Sequence, residues 1–155
     1  VNGVHSGRDL IASVWEPAER LAKEASLTQR IGMVSLVVRD YDEAINFYVG
    51  ILDFQLVEDT FLPEQGKRWV VVRPRGSCGP DLLLAKATTP NQSDRIGDQT
   101  GGRVAFFLHT DDFWRDYGRF RERGVSFVRE VREEAYGTVS VFEDLYGTDG
   151  TSFNQ

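Results

Sequence analysis

Along two stretches of this chain apolar and polar residues alternate with a period of two, and each alternation soon gives way to a spacing of three and four. The first stretch, residues 31–57, reads IGMVSLVVRDYDEAINFYVGILDFQLV; the second, residues 102–128, reads GRVAFFLHTDDFWRDYGRFRERGVSFV. Period two is the mark of a strand with one covered face, and spacing at i, i+3, i+4, i+7 that of a helix with a buried stripe. Each stretch therefore predicts a strand, an acidic turn, an amphipathic helix, a break and a second strand. From residue 31 to residue 102 is 71 positions, close to half of the 155 residues, so one pattern is used twice.

In the first copy, alternation puts Val34, Leu36 and Val38 on one face of a strand and Met33, Ser35, Val37 and Arg39 on the other. Asp40 and Asp42 offer helix N-caps, because a carboxylate accepts from the free N–H groups of the first turn. Ile45, Tyr48, Val49 and Leu52 make the buried stripe, and Gly50-Ile51-Leu52-Asp53 ends the helix. Further strands are predicted near 54–61, 67–73 and 81–87, with Pro74, Gly76 and Gly79-Pro80 turning the chain between the last two. In the second copy a strand over 103–109 sets Val104, Phe106 and Leu108 against Arg103, Ala105, Phe107 and His109. A helix over 111–123 follows with Phe113, Tyr117 and Phe120 inward and Gly124 as a left-handed cap. Strands near 125–133, 136–143 and 150–154 complete it.

Two segments fall outside the repeat. Residues 8–25 carry a helical stripe (Leu10, Ile11, Val14, Trp15, Ala18, Leu21, Ala22, Ala25) interrupted at Pro17, and residues 88–101 (TTPNQSDRIGDQTG) are polar and turn-rich. The expected organisation is an N-terminal helical extension over 1–29 and a single domain over 30–155. That domain comprises module one over 30–87, a linker or flap over 88–101 and module two over 102–155. The fold class is α+β: paired βαβββ modules whose helices cover one side and leave a cupped mixed sheet on the other. A cup of this kind is a natural small-molecule site.

Composition narrows the function. A length of 155 residues with 41% hydrophobic and 12% aromatic content supports a packed domain. The net charge of −6 argues against nucleic-acid binding, which needs clustered cations. No apolar run approaches the roughly 18 residues of a membrane span. The start VNGVHSGRDL lacks the basic and apolar regions of a secretory signal, and the single cysteine, Cys78, forms no internal disulfide; a cytoplasmic protein is the expectation.

The stretch VVRDYDEAINFYVGILDF resembles the first-module signature of the vicinal oxygen chelate superfamily, and EDLYGTDGTSFNQ is similar to its closing strand. That group includes glyoxalase I, extradiol dioxygenases and bleomycin-binding resistance proteins. The resemblance implies a cleft between paired modules and, in the enzymes, a divalent metal held by a His on the first strand, an acid on the fourth, a His or equivalent on the fifth and an acid on the last. Here those positions hold Met33, Leu83 or Leu84, Arg103 (Ala105 after a small register shift) and Thr151. A thioether, an aliphatic chain, a guanidinium and a hydroxyl do not make a site for a hard cation, so no cofactor is expected.

The cleft candidates are Met33, Ser35, Trp69, Arg103, Phe107, His109 and Tyr136. Arg103 could hold a carboxylate, phosphate or phenolate, or be paired internally with Glu143 or Asp144. His109 is the candidate for acid–base catalysis, or a histidine packed at a strand end. Phe61, Trp69, Tyr136 and Phe142 could form aromatic walls or ordinary core. Trp114 is read as packing against the sheet or a neighbouring element, and Cys78 in the turn SCGP lacks a local activating group. The leading reading is a metal-independent protein of the resistance or sequestration type that binds an aromatic or anionic small molecule as a homodimer. Two alternatives stay open. One is a lyase, isomerase or dioxygenase with a non-standard metal site or a His109-based mechanism. The other is an interaction module whose cup is filled by Met33, Leu83, Leu84 and Phe107.

Overall fold

A computed structural model describes residues 29–153; the helical extension expected over 8–25 lies outside them. Module one runs β1 (Met33–Val38), α1 (Tyr41–Ile45), β2 (Gln55–Leu62), β3 (Lys67–Arg73) and β4 (Asp81–Lys86). Its sheet has the order β1-β4-β3-β2, with β1 parallel to β4 and the other pairs antiparallel. The linker contains a short helix, α2 (Pro90–Ser93). Module two runs β5 (Phe106–His109), α3 (Phe113–Glu122), β6 (Ser126–Phe127), β7 (Arg132–Glu134), β8 (Gly137–Glu143) and β9 (Asp149–Phe153). Its sheet order is β5-β9-β8-β6, with β7 also on β8 and β5 parallel to β9. The architecture is α+β, built from the two βαβββ patterns read in the sequence.

The helices form where the caps predict. Asp40 accepts from the N–H groups of Asp42 and Glu43, and Asp112 accepts from that of Arg115. Lys86 donates to Asp40 at 2.9 Å, which with the cap holds the Asp40 carboxyl below its usual range. The first helix departs from expectation after Ile45. Residues Asn46–Ile51 form a π-helical turn, closed by the Leu52 N–H donating to the Phe47 carbonyl at 2.9 Å. The wider turn rotates the stripe, so Phe47 joins Tyr48 and Leu52 in full burial while Ile45 and Val49 are only partly covered.

One core serves both modules. Leu36, Val38, Val70, Val72, Leu82 and Leu84 on the helix side of the first sheet belong to the same buried cluster as Phe120, Val125 and Phe142 of module two. Buried polar contacts join the halves as well. The Tyr48 hydroxyl, wholly buried, donates to Asp144 Oδ2 at 2.8 Å, and Asp144 Oδ1 accepts from the N–H groups of Tyr146 and Thr148. Burial, with the Asp144 charge beside it, pushes the Tyr48 phenol well above its ordinary value.

Three further expectations need revision. The strand expected over 103–109 begins only at Phe106, because Gly101 and Gly102 both take left-handed φ and the Thr100 hydroxyl turns back to the Arg103 carbonyl. The strand expected over 125–133 is split into β6 and β7, and the Ser140 hydroxyl satisfies the Arg129 carbonyl in the gap at 3.0 Å. The linker is pinned in its C-terminal half. The Val37 N–H donates to Gln99 Oε1 and Gln99 Nε2 donates to the Ser35 carbonyl, both at 2.8 Å, so one side-chain amide acts as a rung on the edge of β1 opposite β4. Gly97 (φ 81) sits so close to module two that a Cβ there would lie 2.1 Å from the Tyr146 carbonyl oxygen.

Candidate functional site

The alternation that buries one face of each sheet leaves the other open. In module one Leu82 and Leu84 point to the core, so Asp81, Leu83 and Ala85 share the opposite, concave face. The strand registers add Met33 beside Asp81, Ser35 beside Leu83, and Val71 and Trp69 beyond them on β3. Arg73 grips Asp81 through two bonds of 2.6 and 2.8 Å, which leaves Asp81 nearly buried at the foot of this face.

In module two Phe106 and Leu108 pack against the core, so Phe107 and His109 lie on the concave side. Phe107 faces Thr151 on β9, and Thr151 faces Val141 on β8. With Tyr136, Arg129 and Arg132 these residues line a hollow of about 290 Å³. Phe107 and Tyr136 are each 61% exposed. Arg132 stands 3.8 Å from Glu134, a loose pair that leaves its guanidinium available.

A larger chamber of about 950 Å³ opens at the module junction, lined by residues of both modules. A chain of ion pairs crosses it. Asp53 takes Arg75 at 3.0 Å and Arg119 at 3.2 Å, Asp116 takes Arg119 at 3.0 Å and Arg115 at 3.1 Å, and Arg115 reaches Asp111 at 2.7 Å. Burial works against ionisation of Asp116. Hydrogen bonds from Arg115 and Thr110 and the charges of Arg115 and Arg119 outweigh it, and the carboxyl is held below its ordinary value. Asp53 (φ 64) is the positive-φ non-glycine residue among the described ones.

The seven residues singled out from sequence fall into groups. Met33, Ser35 and Trp69 lie on the concave face of module one, Phe107, His109 and Tyr136 on or beside that of module two. Among the described residues, neither the hollow of module two nor the junction chamber is lined by Met33, Ser35 or Trp69. Arg103 lies before β5 rather than in it, exposed, and pairs with neither Glu143 nor Asp144. His109 shares the junction chamber with Asp111 and Asp116, but both carboxylates are held by Arg115. Phe61 and Phe142 are not concave walls. Phe61 pairs with Arg68, whose guanidinium sits over the Tyr41 ring on the helix side, and Phe142 is core. Trp114 is 59% exposed, touching Phe113 and Tyr117 edge-on. Met33 and Phe107 are open to solvent rather than filling a cup, and Leu84 is in the core. Sequence reasoning missed Arg129 and Arg132, which sit in a charged run with Glu130, Glu133 and Glu134; the pairing of Arg132 with Val139 on β8 is what puts Arg132 on the concave side.

Two βαβββ modules with helices on one side and open concave sheets on the other define an α+β fold of the paired-module type. The sequence profile of the Glyoxalase/Bleomycin resistance protein/Dioxygenase superfamily matches residues 30–153, and the chain belongs to that family. It is 61% identical over 121 residues to an uncharacterised protein of Shewanella frigidimarina, covering 78% of this chain and 90% of that one. Among solved structures it is similar to UcmS2 (27% identity, TM-score 0.71, 82% of this chain and 98% of that one). It is also similar to TnmS3, an antibiotic binding protein from a Streptomyces species (26% identity, TM-score 0.66, 83% and 97%).

Among the described residues the divalent cation implied by the family's enzymes finds no fitting donor set. Among the described residues no three His, Cys, Asp or Glu side chains come together in a way that holds a metal. Across from Thr151 on β5 stands Phe107, not Arg103, and the acid nearest Met33 on β4, Asp81, is engaged by Arg73. No helix among the described residues is long and apolar enough to cross a membrane.

Proposed function

We propose that this protein is a metal-independent small-molecule-binding protein of the resistance or sequestration type, taking an aromatic ligand that carries an anionic group. One observation carries the reading: the concave face of module two joins two solvent-exposed aromatic rings, Phe107 and Tyr136, to two guanidinia, Arg129 and Arg132, and one carboxylate, Glu130, around a hollow of about 290 Å³. Rings of this kind stack flat ligands and guanidinia take carboxylates or phenolates by charge-assisted hydrogen bonds. The likeness to an antibiotic binding protein supports the same reading. A hollow this small encloses only part of a drug-sized molecule. A second copy, bringing the concave face with Met33, Ser35 and Trp69 over it, completes the site in a homodimer.

The test is isothermal titration with planar aromatic acids and phenolates, alongside light scattering for the assembly state. Arg132→Ala and Tyr136→Ala each weaken binding about tenfold, as expected for a charge-assisted bond or a stacked ring worth about 1.4 kcal/mol. A stoichiometric metal after incubation with zinc, nickel, manganese or iron(II) overturns metal independence. Wild-type affinity in both variants overturns the site.

A further inference from the structure

The floor of the concave hollow holds a polar group that neither the rings nor the guanidinia account for. We propose, resting on the concave site described above, that Thr151 is its specificity-determining residue and that the ligand is a hydroxyaryl carboxylate. The ring hydroxyl of the ligand meets the Thr151 hydroxyl, and its acid group meets Arg129 and Arg132.

The strand fixes where Thr151 points. Its neighbour Gly150 faces the core, where a Cβ would stand 2.7 Å from the Phe142 ring and 2.9 Å from the Phe106 ring. Alternation then turns Thr151 the other way, onto the concave face between Phe107 and Val141. There it is 7% exposed and lines the hollow. Ser140, the other threonine or serine at this hollow, spends its hydroxyl on the Arg129 carbonyl at 3.0 Å. The Thr151 hydroxyl has no hydrogen-bond partner among the described residues. It is not sealed in either, since among those residues the fully buried side-chain polar atom left without a partner is Arg119 Nε.

The surroundings decide what this hydroxyl takes. Phe107, Val139 and Val141 make the floor apolar, while Arg129, Arg132 and Glu130 bring one net positive charge to the same hollow. A carboxylate pressed against Thr151 would give up its water for a single bond from a neutral donor, which costs more than it returns. At the guanidinia it keeps charge-assisted partners. The acid group therefore goes to the cations and a neutral group to the floor. A ring hydroxyl suits that place, because a threonine hydroxyl both donates and accepts and a phenol answers it in both roles. Spacing agrees. Thr151 pairs with Val141 and Arg132 with Val139, on opposite sides of β8. With strands about 4.8 Å apart and a rise of about 3.4 Å per residue, their Cα atoms lie roughly 12 Å apart. Two fused rings bridge that span once both side chains reach inward.

Isothermal titration of the full chain with 6-hydroxy-2-naphthoate and 2-naphthoate at neutral pH tests this. The wild type is expected to bind the hydroxy acid about fivefold more tightly. Thr151→Val keeps the shape and removes the hydroxyl; the preference falls to within about twofold of parity, while affinity for 2-naphthoate stays within about twofold of wild type. Thr151→Ser, which keeps a hydroxyl, keeps the preference. A preference unchanged in Thr151→Val, or equal weakening of both acids, overturns the role of Thr151. A wild type without preference overturns the hydroxyaryl class. In each of these cases 2-naphthoate still binds the wild type and is weakened in Arg132→Ala, so the concave site stands. If the wild type binds neither acid, the concave site falls and this inference with it.

Discussion

At the scale of single residues, the polar groups that matter most are buried ones with defined partners. Tyr48 donates to Asp144 across the two modules, and Asp144 retains two backbone donors without it. Tyr48→Phe is therefore expected to cost about 1–2 kcal/mol, the range for one buried hydrogen bond with a partially satisfied acceptor, read by thermal or urea denaturation. Asp116 has a signature in pH. Its folded-state pKa lies below the unfolded value, so its ionised form stabilises the fold above the ordinary carboxylate range, and that contribution is lost as pH falls through the lowered folded value. Asp116→Asn melts well below the wild type at about pH 6, and the gap narrows only as pH falls through the lowered folded value, where the wild-type carboxyl takes up its proton. A gap independent of pH would show that packing, not charge, sets its role.

At the scale of elements, the repeat itself was legible because strand alternation and helix stripes are strong local signals. The caps Asp40 and Gly124 and the strand Lys67–Arg73 follow directly from them. What was not legible depended on geometry that no local pattern encodes. The π-turn after Ile45 shifts the buried stripe by one residue, which moved Phe47 inward. Face assignments on β2 and β8 needed the register, so Phe61 and Phe142 read as walls although both lie on the helix side. Of the candidate site, Trp69, Phe107 and Tyr136 were readable as concave from alternation and turn position. Arg129 and Arg132 were not, since nothing in a charged run tells which cations turn toward a hollow. Gln99 is the clearest case of a non-local role, a polar linker residue standing in for a strand on the edge of β1. In Gln99→Ala the Val37 amide loses its acceptor, so its hydrogen exchange accelerates markedly while the neighbouring β1–β4 ladder stays protected. Unchanged exchange at Val37 would mean the edge is covered by something else.

At the scale of the whole molecule, the two modules are halves of one cooperative unit, because Phe120, Val125 and Phe142 lie in the same core as Leu36, Val38 and Val70. A fragment comprising residues 102–155 alone is expected to lack near-ultraviolet circular dichroism and to regain it on mixing with residues 1–101. A fragment that folds by itself would make the modules independent. Gly97→Ala tests the joint from the linker side. A left-handed φ and a contact of 2.1 Å against the Tyr146 carbonyl predict a loss of at least about 2 kcal/mol by urea denaturation. The joint also shows where the duplication stopped being symmetrical. Asp53 and Gly124 stand 71 positions apart, each just past its module's helix, and both are left-handed, with φ of 64 and 85. Glycine takes that conformation freely; aspartate takes it against a strain of about 1 kcal/mol, and its carboxylate is then the one that Arg75 and Arg119 share. A glycine at position 53, as at 124, would relax this turn and leave Arg75 without its carboxylate and Arg119 with Asp116 alone. The halves have become complementary pieces, and neither can now replace the other.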